Sequence, residues 1–449
     1  MSRYLPIVLM ALIPAWSCAD RSLADVKLVP VSEERIIFDV SENRDVDILF
    51  VVDNSKSMER EQNSLREKFG NLIDVLQQHP DGLPSIHIGV ISTDLGTGVG
   101  GACSEQGDGG AFLGSQCAGL NGSFIESLVN EDGTRTENFS LDMAETFSCM
   151  ADLGIRGCGF EQPLESMRRA LSLPQADDFI REHAYLAVII VTDEDDCSAH
   201  DNAIFAPTPQ DLSTALGPPK SFRCFEFGVE CDSPDARATG LRADCTPMVN
   251  SPYLHEIDDY IDFLYSKKRF PEQILTATIA GKPGPINVVS TFDSDNGYDY
   301  LALDFSCTAQ DAEAVPPIRL NAFLDGFGDN SQRTSICQSD LTPALEKIAK
   351  KIINKSIGCF TQALRDTDAA IDGVQPDCVI SEQRPDEEER RLPECSDQNN
   401  PEMSETLPCF TLLPEALCAG HPTSLAPKVF YTEGEFVPPG TQAFARCSF

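Results

Sequence analysis

Apolar positions along this chain follow two rhythms. Val46–Val52 is a nearly continuous apolar run broken only by Asp47, the pattern of a central parallel strand covered on both faces. From Met58 onward, Leu65, Phe69, Leu72, Ile73 and Leu76 recur at spacings of three and four, which predicts one face of a helix ending before Pro80. Ile86–Ser92 reads as a second strand, Tyr185–Val191 as a third and Ile274–Ala280 as a fourth. Between them, helices are predicted over 141–153 and over 163–173, the latter with Leu164, Met167 and Leu171 on one face. Ser251 at N-cap and Pro252 at N1 predict a further helix with the stripe Leu254, Ile257, Ile261 and Leu264. Thr342-Pro343 opens one whose Leu345, Ile348, Ala349 and Ile352 face inward. Strand alternating with helix implies an α/β fold with a doubly wound, mostly parallel sheet.

Other stretches break the rhythm. Regions near 96–137, 197–250 and 282–335 are rich in glycine, proline or cysteine and read as insertions into a domain spanning 45–358. Beyond Cys359 the acidic run 386–389 precedes proline-rich segments with short strand-like pieces such as Lys428-Val429-Phe430-Tyr431, so 359–449 is expected to be a small β-rich, cysteine-rich appendage. At the other end, Arg3, an apolar run from Leu5 to Ile13 and small residues before Cys18 form a signal peptide over 1–17. Ala15-Trp16-Ser17-Cys18 resembles a bacterial lipobox, with Trp16 departing from the usual small residue, and Cys18 is the expected lipidation site of an exported, envelope-anchored chain. Residues 18–44 then read as a tether. No later stretch approaches the roughly 20 apolar residues a membrane-spanning helix needs.

Cysteine usage and charge narrow the partners. Of 17 cysteines, setting Cys18 aside leaves an even set, ten between Cys103 and Cys337 and six from Cys359 to Cys447, so two separately closed disulfide sets are expected. Zinc sites in a reducing compartment need CxxC-type pairs, which are absent. The 34 Lys+Arg against 71 Asp+Glu give a formal charge of −37, which repels phosphate backbones and anionic headgroups; nucleic acid is excluded as a partner, and contact with membrane is expected only through the lipid.

The chemistry concentrates in Ile48-Leu49-Phe50-Val51-Val52-Asp53-Asn54-Ser55-Lys56-Ser57. A buried strand delivers an Asp and two hydroxyls, spaced by one residue, to the carboxyl edge of the sheet, where open α/β folds bind ligands. This segment resembles the metal-ion-dependent adhesion site of von Willebrand factor A domains. The resemblance covers roughly 45–358 outside the cysteine-rich insertions and implies that Ser55 and Ser57 bind the ion directly, with Asp53 acting largely through water. Val188-Ile189-Ile190-Val191-Thr192-Asp193 matches the family segment whose Asp supports a metal-bound water, a role carried to Asp193. The family's remaining ligand, a Thr, is missing from the corresponding Gly157-Cys158-Gly159-Phe160-Glu161-Gln162-Pro163, where Glu161 is the nearest hard ligand. A carboxylate there raises the negative charge of the site and lowers the electrophilicity left for a ligand. The bland alternatives are that Ser55 or Ser57 caps the next helix, that Glu161 interacts with a helix dipole, and that Asp193 belongs to a solvated acidic loop, Asp193-Glu194-Asp195-Asp196.

The resemblance implies a metal-ion-dependent adhesion or protein-binding module on the bacterial cell envelope and no enzyme. Mg²⁺ suits the hydroxyl and water ligands, with Mn²⁺ or Ca²⁺ as alternatives, and a partner's acidic group is expected to complete the coordination. Two other readings compete. One is a metal-free, disulfide-stapled structural envelope protein. The other is a metal-dependent phosphohydrolase, which would need a second Asp where Ser55 stands. A hydrolytic triad is unsupported, because no Gly-x-Ser-x-Gly elbow accompanies the six histidines.

Overall fold

The computed structural model describes residues 33–39 and 45–449, apart from 80–81, 100–102, 131, 209–210, 295–296, 310–311, 369, 371–374, 386, 399, 420, 433–434, 436 and 439–440. The expected signal peptide over 1–17 and the expected lipidation site Cys18 lie outside the described residues. Part of the expected tether is a strand, β1 (Glu33–Asp39). Next comes β2 (Val46–Val52), every residue of it buried, then helix α1 (Glu59–Leu76) and β3 (Ile86–Ser92), which runs parallel to β2 from Val46↔Ile86 to Val52↔Ser92. The first expected insertion adds two antiparallel strands beyond β3, namely β4 (Ile125–Val129) and β5 (Arg135–Glu137). Helices α2 (Met143–Met150), α3 (Pro163–Ala170) and the single turn α4 (Ala176–Phe179) lead into β6 (Tyr185–Val191), which pairs in parallel with the other side of β2.

The 197–250 region holds α5 (Phe222–Gly228) and three short strands, β7 (Val229–Glu230), β8 (Gly240–Arg242) and β9 (Thr246–Pro247). Helix α6 (Ile257–Tyr265) begins later than expected: the Ser251 hydroxyl accepts from the Tyr253 and Leu254 amides, making a local turn ahead of the helix. After β10 (Ile274–Ala280) come β11 (Ile286–Asp293), β12 (Tyr298–Leu303), β13 (Cys307–Ala309), β14 (Ala312–Ala314), α7 (Ile318–Asp325) and β15 (Ser331–Ser335). The third expected insertion therefore contains a helix and the edge strand of the main sheet, since β15 pairs in parallel with β10. Its sequence, Ser-Gln-Arg-Thr-Ser, has no apolar residue because an edge strand of this kind is shielded on one side only. Helix α8 (Thr342–Ile357) ends at Gly358, left-handed at φ 80°, and β16 (Cys378–Gln383), β17 (Arg390–Arg391), β18 (Cys409–Pro414), β19 (Leu425–Phe430) and β20 (Gln442–Ser448) complete the chain.

These strands correct the expected doubly wound, Rossmann-like architecture. The protein is a mixed α/β molecule whose described strands are divided among separate seven-, four- and three-stranded sheets and three two-stranded ones, with strand content of 28% against 26% helix. Even the seven-stranded sheet, ordered β15-β10-β6-β2-β3-β4-β5, is mixed, its parallel strands being continued by antiparallel β4 and β5. The physical reason lies in the short hairpins held by disulfides: a two- or three-residue strand carries too little periodicity to be read from the sequence.

The seven-stranded sheet positions the site. On one face Phe50 meets Phe69 of α1 and Phe147 of α2 edge-on, with centroids 6.1 and 5.0 Å away, and Leu345, Ile348 and Ile352 of α8 join the same core. On the other, Leu49, Val51, Val188 and Ile190 pack with Leu164, Tyr260 and Phe323 from α3, α6 and α7. All sixteen cysteines after Cys18 are paired, five disulfides falling within 103–337 and three within 359–447. The two closed sets expected from the sequence are thus present. No helix among the described residues is long and apolar enough to cross a membrane.

Candidate metal site

The carboxyl ends of β2, β3 and β6 converge because the three strands are in register, and each hands its next residue to the same pole. Asp53 follows β2 with no exposed surface, its amide bonded to the Val191 carbonyl at 2.9 Å. One of its carboxylate oxygens accepts from the Ser55 amide at 2.7 Å, the other from the Thr192 hydroxyl at 2.7 Å. The hydroxyls of Ser55 and Ser57 lie 3.1 Å apart. Ser55 occupies the N-cap of the short helical turn Lys56–Met58 yet makes no side-chain cap bond there, so capping does not account for it.

Glu161 reaches the same place from the segment before α3. It is fully buried, one carboxylate oxygen accepts from the hydroxyl of Thr93, the residue after β3, and the other has no hydrogen-bond partner. The segment is held by Cys197 N donating to the Glu161 carbonyl at 2.7 Å and by the Cys103–Cys158 disulfide. Asp193, 7% exposed, follows β6 and leaves Oδ1 without a partner, as does Asn54 at its own Oδ1. The alternative of a solvated acidic loop fails for its neighbours as well. Asp195 accepts from the Arg319 and Leu320 amides at the start of α7, at 2.9 and 3.1 Å, and Asp196 forms a buried ion pair with Arg319 at 3.1 Å.

The structure therefore brings together Asp53, Ser55, Ser57, Glu161 and Asp193, and adds Thr93, Thr192, Asn54 and Glu194, which sequence reasoning did not single out. Thr93 and Thr192 each end a buried strand in parallel register with β2, and that position is the signal that finds them. Electrostatics agree with the geometry. Burial raises the Asp53 carboxyl above the usual range, opposed by the hydrogen bonds it accepts from Ser55 and Thr192. Burial and then the Asp53 charge push both Glu161 and Asp193 well up, and burial followed by Asp193 does the same to Glu194. Among the described residues no group of three or more His, Cys, Asp or Glu side chains is spaced to hold a metal unaided, so a cation here would draw on the serine hydroxyls. With those included, the available ligand atoms are all hard oxygens, and Asn54 Oδ1, Glu161 Oε1 and Asp193 Oδ1 are buried without a hydrogen-bond partner.

Fold and site together define a class: an α/β protein carrying a buried cluster of acidic and hydroxyl side chains at the carboxyl edge of its main sheet. No protein-family model and no curated protein sequence matches the chain. Among solved structures, it is similar to the pilus adhesin SpaC from Lactobacillus rhamnosus GG at 10% identity and TM-score 0.34, covering 92% of this chain and 40% of that one. It is similar to the pilus adhesin RrgA from Streptococcus pneumoniae at 9% identity and TM-score 0.30, covering 93% and 58%, and to the human COPII-coat protein Sec24c at 10% and 0.31, covering 92% and 41%. The chain thus spans less than two thirds of each.

Proposed function

We propose that this chain is a metal-ion-dependent adhesion or protein-binding module of the bacterial cell envelope, in the manner of the von Willebrand factor A domains that its strand-Asp53-x-Ser55-x-Ser57 segment resembles. The observation that carries the reading is the pair of buried carboxylate oxygens without donors, Glu161 Oε1 and Asp193 Oδ1, on side chains gathered about Asp53 with the facing Ser55 and Ser57 hydroxyls. Ser55, Ser57 and Glu161 would hold the ion, and Asp53 and Asp193 would orient its water. The cation supplies a fixed positive charge at the rim of the sheet. The chain's own contribution is preorganisation: Thr192 fixes Asp53, Thr93 fixes Glu161, and burial removes competing water. Eight disulfides suit an exported protein, and lipidation at Cys18 would anchor it.

Melting curves test the proposal. Mg²⁺ is expected to raise the melting temperature of the wild-type chain over that in chelator, because a ligand that binds only the native state stabilises it. Asp53→Ala should abolish the shift while keeping the fold. A chain whose melting temperature ignores Mg²⁺, Mn²⁺ and Ca²⁺ alike is the disulfide-stapled scaffold.

A further inference from the structure

The seven-stranded sheet ends in β5, Arg135-Thr136-Glu137, whose outer side no described strand covers. Two hydrogen bonds flanking β5 fix which of its backbone groups face inward: the Asn138 amide donates to the Glu126 carbonyl at 3.2 Å and the Asn130 amide to the Thr134 carbonyl at 2.8 Å. With Leu128↔Thr136 in register between them, the amide and carbonyl of Thr136 turn towards β4, and those of Arg135 and Glu137 turn outward. Among the described residues no hydrogen bond reaches these four outward groups, and Thr136 and Glu137 are exposed. Such an edge is a template for a further strand.

Charges on an edge strand usually keep a like edge away. Those of β5 do the opposite, because they are self-complementary. Laid antiparallel against a second copy about a two-fold axis through Thr136, Arg135 of each chain stands opposite Glu137 of the other. These two pairs exchange four backbone hydrogen bonds, Thr136 meets Thr136 as a non-hydrogen-bonded pair, and opposite charges face each other twice across the junction. Within one chain the Arg135 guanidinium donates to the Leu83, Pro84 and Ser127 carbonyls at 2.8 to 2.9 Å and to the Ser127 hydroxyl at 3.0 Å, all neutral acceptors. Burial lowers its pKa and the Glu137 charge opposes that, so a second Glu137 across the axis adds a partner that Arg135 can use. The other edge of the sheet lacks this property: β15, Ser331-Gln332-Arg333-Thr334-Ser335, centred in the same way, sets Arg333 against Arg333. We propose that β5 is the contact through which two copies of this chain join, about a two-fold axis, into a dimer with one continuous sheet running through both. Because β4 pairs with the amino end of β3, at Ile86↔Ser127, the junction lies away from the cluster about Asp53.

Sedimentation equilibrium on the full chain decides it. In roughly 0.15 M salt, where the repulsion between two chains of formal charge −37 is screened beyond about 8 Å, the wild type should show a monomer–dimer equilibrium. Glu137→Arg replaces two ion pairs by two like-charged ones and should weaken the dimer about tenfold. Glu137→Pro removes an outward amide while leaving the ladder to β4 intact, a change that an edge strand tolerates, and should weaken it at least as much. Melting curves check that both variants keep their fold. Thr136→Cys should become a disulfide-linked dimer on mild oxidation, because its two copies face each other at a Cα separation of about 4.5 Å, whereas Thr134→Cys, about 13 Å along the strand from its counterpart, should not. A wild type that stays monomeric at its highest soluble concentration, a dimer unmoved by both Glu137 variants, or cross-linking through Thr134→Cys and not Thr136→Cys overturns the inference.

Discussion

At the scale of the residue, the Thr93 hydroxyl and the Glu161 carboxylate form the contact that fixes Glu161 at the end of the sheet. Thr93 holds Glu161 in place without being assigned to the ion, and removing such an outer partner commonly costs 10- to 100-fold in metal affinity. Thr93→Val, nearly isosteric, should therefore weaken divalent-cation binding by about tenfold with little change in melting temperature of the metal-free chain, as calorimetry and a melting curve would register. The sequence singles out Asp53, Ser55, Ser57 and Asp193 because Asp53 and Asp193 lie one and two residues beyond buried apolar runs and the serines follow Asp53 at alternate positions. Thr93 was not, since its partner is 68 residues away and nothing local marks the pairing. At the opposite pole Lys268, with no exposed side chain, lies 3.5 Å from buried Asp47 and donates to the Arg181 carbonyl at 2.6 Å. Burial lowers its pKa to about 8, with Arg181 adding to the effect and Asp47 and Asp45 opposing it. Between that value and the unfolded value near 10.4 the unfolded chain binds more protons, so this group adds stability as pH rises, and the contribution is lost as pH falls through 8. The stability of the wild type relative to Lys268→Met should accordingly increase by roughly 2–3 kcal/mol from pH 8 to pH 10.5 in urea titrations; a difference that is flat with pH would contradict a buried, charged Lys268.

At the scale of the element, the segment after β6 is tied to the start of α7 by Asp195 and Asp196, so the loop carrying Asp193 is fixed by a helix on the neighbouring strand's far side. Arg319, 1% exposed, answers Asp196 and also donates to the His255 carbonyl at 2.8 Å. Removing one member of a buried pair leaves the other charge stranded, so Arg319→Met should destabilise the protein by about 3–5 kcal/mol in urea unfolding. A loss below about 1 kcal/mol would mean that water reaches Asp196. The long helices and buried strands could be read from apolar spacing alone. The elements that could not, β4, β5, β15 and α7, are an antiparallel edge, a polar edge and a helix set between disulfide-bonded loops, none of which has a two-sided apolar pattern.

At the scale of the whole molecule, the first and last described strands pair. Strand β1 pairs antiparallel with β20 from Glu33↔Ser448 to Asp39↔Gln442, and Ile36, Ile37 and Phe38 are buried there. This sheet rests near the amino end of β6, where the Tyr185 hydroxyl donates to the Ile37 carbonyl, whereas Asp193 lies beyond the other end of a strand about 20 Å long at 3.3 Å per residue. No local pattern announces a strand whose partner lies some 400 residues on, and the polar segment around it reads as a tether. Each buried large side chain of β1 stabilises the sheet by about 1.5–3 kcal/mol, so a chain beginning at residue 40 should expose the region beyond 359 to protease cleavage while the seven-stranded sheet persists. The central claim is that the pole carrying Asp53 holds a divalent cation between two serines. Calorimetric titration of Mg²⁺ into the wild-type chain and into Ser55→Ala with Ser57→Ala tests it most directly: the account predicts a single saturable site in the first and none in the second, at equal melting temperature without metal, and equal binding by both chains, or by neither, would contradict it.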